Sequence, residues 1–80
     1  MAGERYQAIW HRGQDAHFNM REDHIIVDKK ANSPEAAIQI AKKMMATHDK
    51  ILGVFLESEV DQQVEQIKNR LKLPVNRWDK

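Results

Sequence analysis

The stretch NSPEAAIQIAKKMMATHDKILGVFLE, residues 32–57, carries the clearest start and stop signals in the chain. It predicts a helix from Ser33 to about His48 and, directly after it, a strand from Ile51 to Glu57. Ser33 suits an N-cap, because its hydroxyl accepts from the unpaired N–H groups of a first helical turn. Pro34 fits the first helical position, where its missing N–H costs nothing, and Glu35 complements the helix dipole. On a 3.6-residue wheel Ala37, Ile38, Ala41, Met44, Met45 and His48 share one stripe, with Ile40 at its edge. The small Ala37 and Ala41 let such a helix sit close to a sheet. Ile51 to Leu56 is apolar on both faces, as in a central strand covered on both sides. Gly53 marks the close approach of another backbone or of a large side chain such as Trp10.

Upstream, Arg5 to Arg12 alternates, with Tyr6, Ala8 and Trp10 on one side and Gln7, Ile9 and His11 on the other. Gly13-Gln14-Asp15 reads as a turn, with glycine free to take a positive φ. Ala16 to Met20 resumes the alternation, and pairing Trp10 with Phe18 and Ala8 with Met20 keeps the large apolar groups together. The parity then switches at Ile25 and Val27. A four-residue loop, Arg21 to His24, restores it by pairing Met20 with Ile25 and Phe18 with Val27. Downstream, Ser58 and Asp61 resemble a capping box. Val60, Val64, Ile67 and Leu71 then form a narrow apolar seam on a second helix, about Glu59 to Lys72, which Pro74 stops. The predicted fold is therefore α+β, in the order β-β-β-α-β-α: a three-stranded antiparallel meander, a helix on one face, a fourth strand and a C-terminal helix. Residues 1–80 form one small domain, with 73–80 as a flexible tail that folds back or reaches a partner.

Composition narrows the function classes. Thirteen basic and twelve acidic residues leave a charge of +1, so overall charge favours neither nucleic acid nor an acidic partner. No cysteine is present, which removes disulfides, thiolate metal sites and a thiol nucleophile. The start, Met1 to Arg5, has no apolar run behind a basic segment, so no signal peptide is expected, and a cytoplasmic location is. The longest apolar run, Ile51 to Leu56, is too short to span a bilayer.

Five groups of residues invite a chemical reading. In the meander registers His11 faces His17 and His17 faces Asp28, a set of donors that suits a divalent metal. A solvated polar row explains the same three residues, and no metal or cofactor is assigned. Ser33 and Ser58 are explained as caps, and nothing supplies a nucleophile elbow or oxyanion hole, so no catalytic residue and no enzymatic activity are expected. His48 and the Met44-Met45 pair fit the helix end and its packed stripe. At the C-terminal end Lys68, Arg70, Lys72, Arg77 and Lys80 stand against Asp79 alone, with Trp78 among them. Basic residues around an aromatic can hold phosphate and stack on a base, which makes Lys68, Arg70, Lys72, Arg77 and Trp78 the candidates for a nucleic-acid surface.

The last group is apolar. In the meander Ile9 and Ile26 point outward, as does one side of the Ile51–Leu56 strand. Either the second helix covers that side, or it is a protein interface or a homodimer contact. The segment His24 to Leu56, with Ser33-Pro34-Glu35-Ala36-Ala37 opening its helix, resembles the β-α-β core of small phage-encoded inhibitors, among them some anti-CRISPR proteins and inhibitors of host RNA polymerase. The resemblance covers about half the chain and implies action by occluding a partner's surface. The expectation is thus a non-enzymatic module for protein–protein contact, an inhibitor or adaptor, with Ile9, Ile26, Arg77 and Trp78 as partner-binding residues. Nucleic-acid binding by the basic end is the alternative.

Overall fold

A computed structural model describes residues 4–13 and 23–77. They form a small α+β fold, a four-stranded mixed sheet with two helices. The chain runs β1 (Tyr6–Arg12), β2 (His24–Val27), α1 (Pro34–Met44), β3 (Lys50–Leu56), α2 (Glu57–Leu71) and β4 (Val75–Arg77). The sheet order is β3-β1-β2-β4. β1 is antiparallel to both β2 and β3, and β4 is parallel to β2. Strands β2, β3 and β4 therefore share one direction, with β1 inserted among them against it. The crossover from β2 to β3 carries α1 on one face. The crossover from β3 back to β4 carries α2 on the other. Reversing both the direction and the face leaves the hand unchanged, so a single handedness serves both crossovers.

Each face has its own apolar cluster. Ala8, Trp10 and Ile26 meet Ala37 and Ala41 of α1, with Tyr6, Ile40, Met45, Ile51 and Val54 packed around them. On the opposite face Ile9, Ile25 and Val27 meet Val60, Val64 and Ile67 of α2, with Leu52, Phe55, Leu73 and Val75 around them. This arrangement corrects the expected meander. β1 pairs directly with β2 in the register Trp10↔Ile26 and Ile9↔Val27. Ile25 and Val27 consequently turn to α2, and Ile26 turns to α1. The strand expected over Ala16 to Met20 lies outside the described residues, as do Gln14 and Asp15 of the expected turn.

The strand expected over Ile51 to Glu57 is apolar on both faces but is an edge strand, not a central one, and it pairs with β1 alone among the described strands. Its two apolar faces are sorted by a bulge. Ile9 lies opposite Gly53 while Trp10 lies opposite Ile51, so Leu52 is the extra residue. A bulge shifts side-chain parity by one. Ile51 and Val54 accordingly share the α1 face, and Leu52 and Phe55 share the α2 face, each pair three residues apart. Gly53 sits beneath the Phe55 ring: a Cβ there would lie 2.6 Å from Phe55 Cζ.

Ser33 caps α1 as expected, accepting from the Ala36 N–H at 3.1 Å. The helix ends at Met44, a full turn before His48, because Asp49 organises a turn of its own. Its Oδ2 accepts from the Ala46 N–H at 2.7 Å and its Oδ1 from the Gly13 N–H at 2.9 Å. That turn presses on Gly13, where any Cβ would collide with the His48 carbonyl oxygen. The glycine is needed for this close approach; its φ is not positive. Early termination also leaves Met44, expected in the packed stripe, 55% exposed. α2 starts two residues earlier than expected, at Glu57, with no side-chain cap. Ser58 lies inside its first turn and donates to Glu4 Oε1 at 3.1 Å. The helix closes on Lys72 in the left-handed region, φ 57° and ψ 44°, its N–H donating to the Lys68 carbonyl. Pro74 follows, and its carbonyl accepts from the Ile25 N–H at 2.8 Å, which aligns β4 beside β2. Within the segment read as a tail, Val75–Arg77 is strand.

Two substitutions report on these joints. Asp49→Ala strands two backbone donors and is expected to cost about 1–3 kcal/mol in urea unfolding. Lys72→Gly removes the left-handed strain of a side-chain-bearing residue and is expected to stabilise by about 1 kcal/mol, raising the Tm.

Candidate functional site

The expected partner residues Ile9 and Ile26 are buried, at 0% and 1% exposure. They lie in opposite clusters, Ile9 under α2 and Ile26 under α1. Their outward orientation was inferred from a sheet with one covered face; with a helix on each face, both strands are interior on both sides. Arg77 projects from β4 onto the first turns of α2, where its Nη1 donates to Asp61 Oδ1 at 2.6 Å. Trp78 lies outside the described residues.

The basic residues of the C-terminal end are separated by the same pairing. Lys68, Arg70 and Lys72 are exposed on the last turn and cap of α2. Asp61, which holds Arg77, lies seven residues before Lys68, or about 10 Å along the helix axis. A shallow cavity of about 370 Å³ adjoins the helix end, lined by Lys68, Asn69, Lys72, Leu73 and Pro74.

Asp28 and His11, two of the three residues considered for a metal, are held apart. The Asp28 carboxylate is buried and accepts from Trp10 Nε1 at 3.1 Å and from the Lys29 N–H at 2.9 Å. Its own carbonyl accepts from Gln7 Nε2 at 3.0 Å. Trp10 belongs to the α1 side, whereas His11, the next residue of an extended strand, leaves from the other face. There His11 Nε2 lies 3.4 Å from Asp23 Oδ1. Among the described residues no group of three or more His, Cys, Asp or Glu is placed to hold a metal ion, and His17 is outside them. Asp28 serves as a structural acceptor that fixes the Trp10 indole in the α1 core. It also floors a second cavity, about 310 Å³, lined by Lys29, Ile40, Lys43 and Met44.

The feature that sequence reasoning missed is the outer edge of β3. Its ladder phase is set at one end: the Glu57 N–H donates to the Arg5 carbonyl at 2.7 Å. In an antiparallel ladder the residues facing the neighbour alternate. Phe55 and Gly53 therefore turn their backbone groups to β1, and Val54 and Leu56 turn theirs away from it, the Leu56 carbonyl also accepting the first bond of α2. No described strand pairs with that side of β3. Every residue from Ile51 to Leu56 is only half-buried, although α1 covers one face and α2 the other. β4, at the opposite edge, is three residues long. A strand apolar on both faces reads as central from sequence, and only the pairing partners distinguish a central strand from an edge.

No family model matches this sequence, and no curated protein or solved structure is significantly similar to it. Among the described residues no helix is long and apolar enough to cross a membrane.

Burial and the Arg77 pairing separate two kinds of residue named from sequence. Ile9→Ala is expected to cost about 2–5 kcal/mol in urea unfolding, as a cavity in the α2-side core. Arg77→Ala, which breaks the pair with the well-exposed Asp61 carboxylate, is expected to cost about 1 kcal/mol for that pair in the same assay.

Proposed function

We propose that this chain is a non-enzymatic binding module that works by protein–protein contact, and that the contact is strand addition along the outer edge of β3. The observation that carries the reading is the side of β3 at Val54 and Leu56 that no described strand pairs with. An unpaired edge offers main-chain donors and acceptors in a fixed row, and an extended segment added to it gains both those bonds and apolar contact with alternate side chains. Natural edges are blunted by short length, inward charge, proline or bulges. β3 has its bulge at Leu52, but from Gly53 to Leu56 it carries no charge and no proline. Action as an inhibitor, the role implied by the resemblance to small phage-encoded proteins, would consist of occupying a partner's surface through this edge.

Nucleic-acid binding through Lys68, Arg70 and Lys72 is the second reading, favoured by their common exposure at the end of α2. Three phosphate contacts would give binding that weakens steeply with salt. Fluorescence titration with single- and double-stranded oligonucleotides at two salt concentrations tests it, and salt-independent or absent binding removes it.

For the edge, a photo-crosslinking residue at Leu56 is the direct probe. Irradiation in cells is expected to yield adducts with protein of any identity, and a probe at the exposed Gln66 of α2 is expected to yield none. Adducts at neither position, or equally at both, contradict contact through β3.

A further inference from the structure

We infer that the strand added to β3 is β3 of a second copy, paired antiparallel about a two-fold axis through Phe55. This rests on the reading of the β3 edge as the contact surface, and it specifies the occupant and the register.

The ladder restricts the choice. In an antiparallel pair, hydrogen bonds join only residues that turn their backbone groups toward each other. On the outer side of β3, beyond the bulge, those residues are Val54 and Leu56. A two-fold axis at Val54 pairs Val54 with itself but leaves Leu56 opposite Leu52, the bulged residue. An axis at Leu56 pairs Leu56 with itself but sets Val54 opposite Ser58, which is already helical. An axis at Phe55 sets Val54 opposite Leu56 in both halves: each Leu56 N–H meets a Val54 carbonyl, and each Val54 N–H meets the Leu56 carbonyl that also accepts the first bond of α2. Of the three axes, this one joins the most outward groups.

The side chains agree with it. Phe55 then faces its own copy in a pair without hydrogen bonds, the closer kind, which favours aromatic contact. Its ring leans along its own strand over Gly53, so it does not stand across the edge. Phe55 already packs with the α2-side cluster, and Val54 with the α1-side cluster. Pairing would make both clusters continuous across the axis and bury the exposed remainder of β3.

Charge agrees with the direction. Exposed Lys50 begins β3, and Glu59, in the first turn of α2, follows its end, next to a Glu57 already paired with Lys30. An antiparallel copy turns the Lys50 end of each strand toward the acidic turn of the other. A parallel copy would set lysine beside lysine and glutamate beside glutamate. The net charge of +1 per chain opposes association weakly. An isologous contact of this kind closes at two copies.

The full chain is tested by light scattering across a concentration series, together with Val54→Pro and two single-cysteine variants. Val54→Pro removes an outward N–H that makes no bond to β1, so the β1–β3 ladder keeps its bonds. The expected result is a dimer at high concentration that Val54→Pro converts to monomer, with unchanged circular dichroism. Because the chain has no cysteine, Phe55→Cys also reports the register: opposed positions in such a pair lie about 4.5 Å apart, within disulfide reach. Oxidation is expected to link Phe55→Cys chains to each other much faster than Gln66→Cys chains. A dimer that survives Val54→Pro, a species larger than a dimer, or equal linking of the two cysteine variants overturns the self-pairing. A wild-type monomer at every concentration also overturns it; in that case adducts from the Leu56 photoprobe with other proteins leave the edge reading standing, and their absence removes both.

Discussion

Each face of the described sheet carries an apolar cluster, and the rest of the fold follows from that constraint. β1 places Ala8 and Trp10 on one side and Ile9 on the other; β2 places Ile26 against Ile25 and Val27; β3 divides Ile51 and Val54 from Leu52 and Phe55. Such strands are unstable with one helix. They need cover on both sides, and the chain provides it with two crossovers that run in opposite directions over opposite faces. The small Ala37 and Ala41 seat α1 closely above Trp10, while the Val60, Val64 and Ile67 seam of α2 closes the other side. Polar joints hold the ends: Asp28 on the Trp10 indole, Asp49 on Gly13 and Ala46, Lys30 on Glu57 at 2.8 Å.

The same constraint explains how much was legible in the sequence. α1 and its Ser33 cap, the seam of α2, and β1 and β3 as strands were all readable, because helix caps and periodicity are local signals. Strand pairing was not. At Ile25-Ile26-Val27 all three residues are apolar, so parity carries no information about which face each one takes, and a one-residue change of register exchanges the faces. The meander resolved that ambiguity by gathering large residues on a single side, which turned Ile9 and Ile26 outward. The structure buries both. The end of α1 was misplaced for a different reason: Asp49 competes for the backbone of Ala46, a local hydrogen bond that an apolar stripe does not reveal. The parallel pairing of β4 with β2 depends on a contact nearly fifty residues apart, Ile25 to Pro74, and has no local signature.

Of the residues proposed for function from sequence, the buried isoleucines became core, Asp28 became an acceptor for Trp10, and Arg77 became an ion-pair partner of Asp61. The contact proposed here is made instead by backbone. An edge strand displays its chemistry in N–H and C=O groups that every sequence possesses, so its capacity to bind is a property of topology. The bulge at Leu52 sharpens this: it limits the regular edge to Gly53–Leu56 and fixes which groups face outward.

The claim on which the account turns is that β3 has one bonded side and one open side. Residue-resolved amide hydrogen exchange in dilute solution tests it most directly. Protection is expected to alternate along β3: the N–H groups of Phe55 and Glu57, bonded toward β1, exchange slowly, and those of Val54 and Leu56 exchange nearly as fast as unstructured amides. Uniform protection from Val54 to Glu57 that persists on dilution would mean that the outer side is already paired within the chain, and would contradict the account.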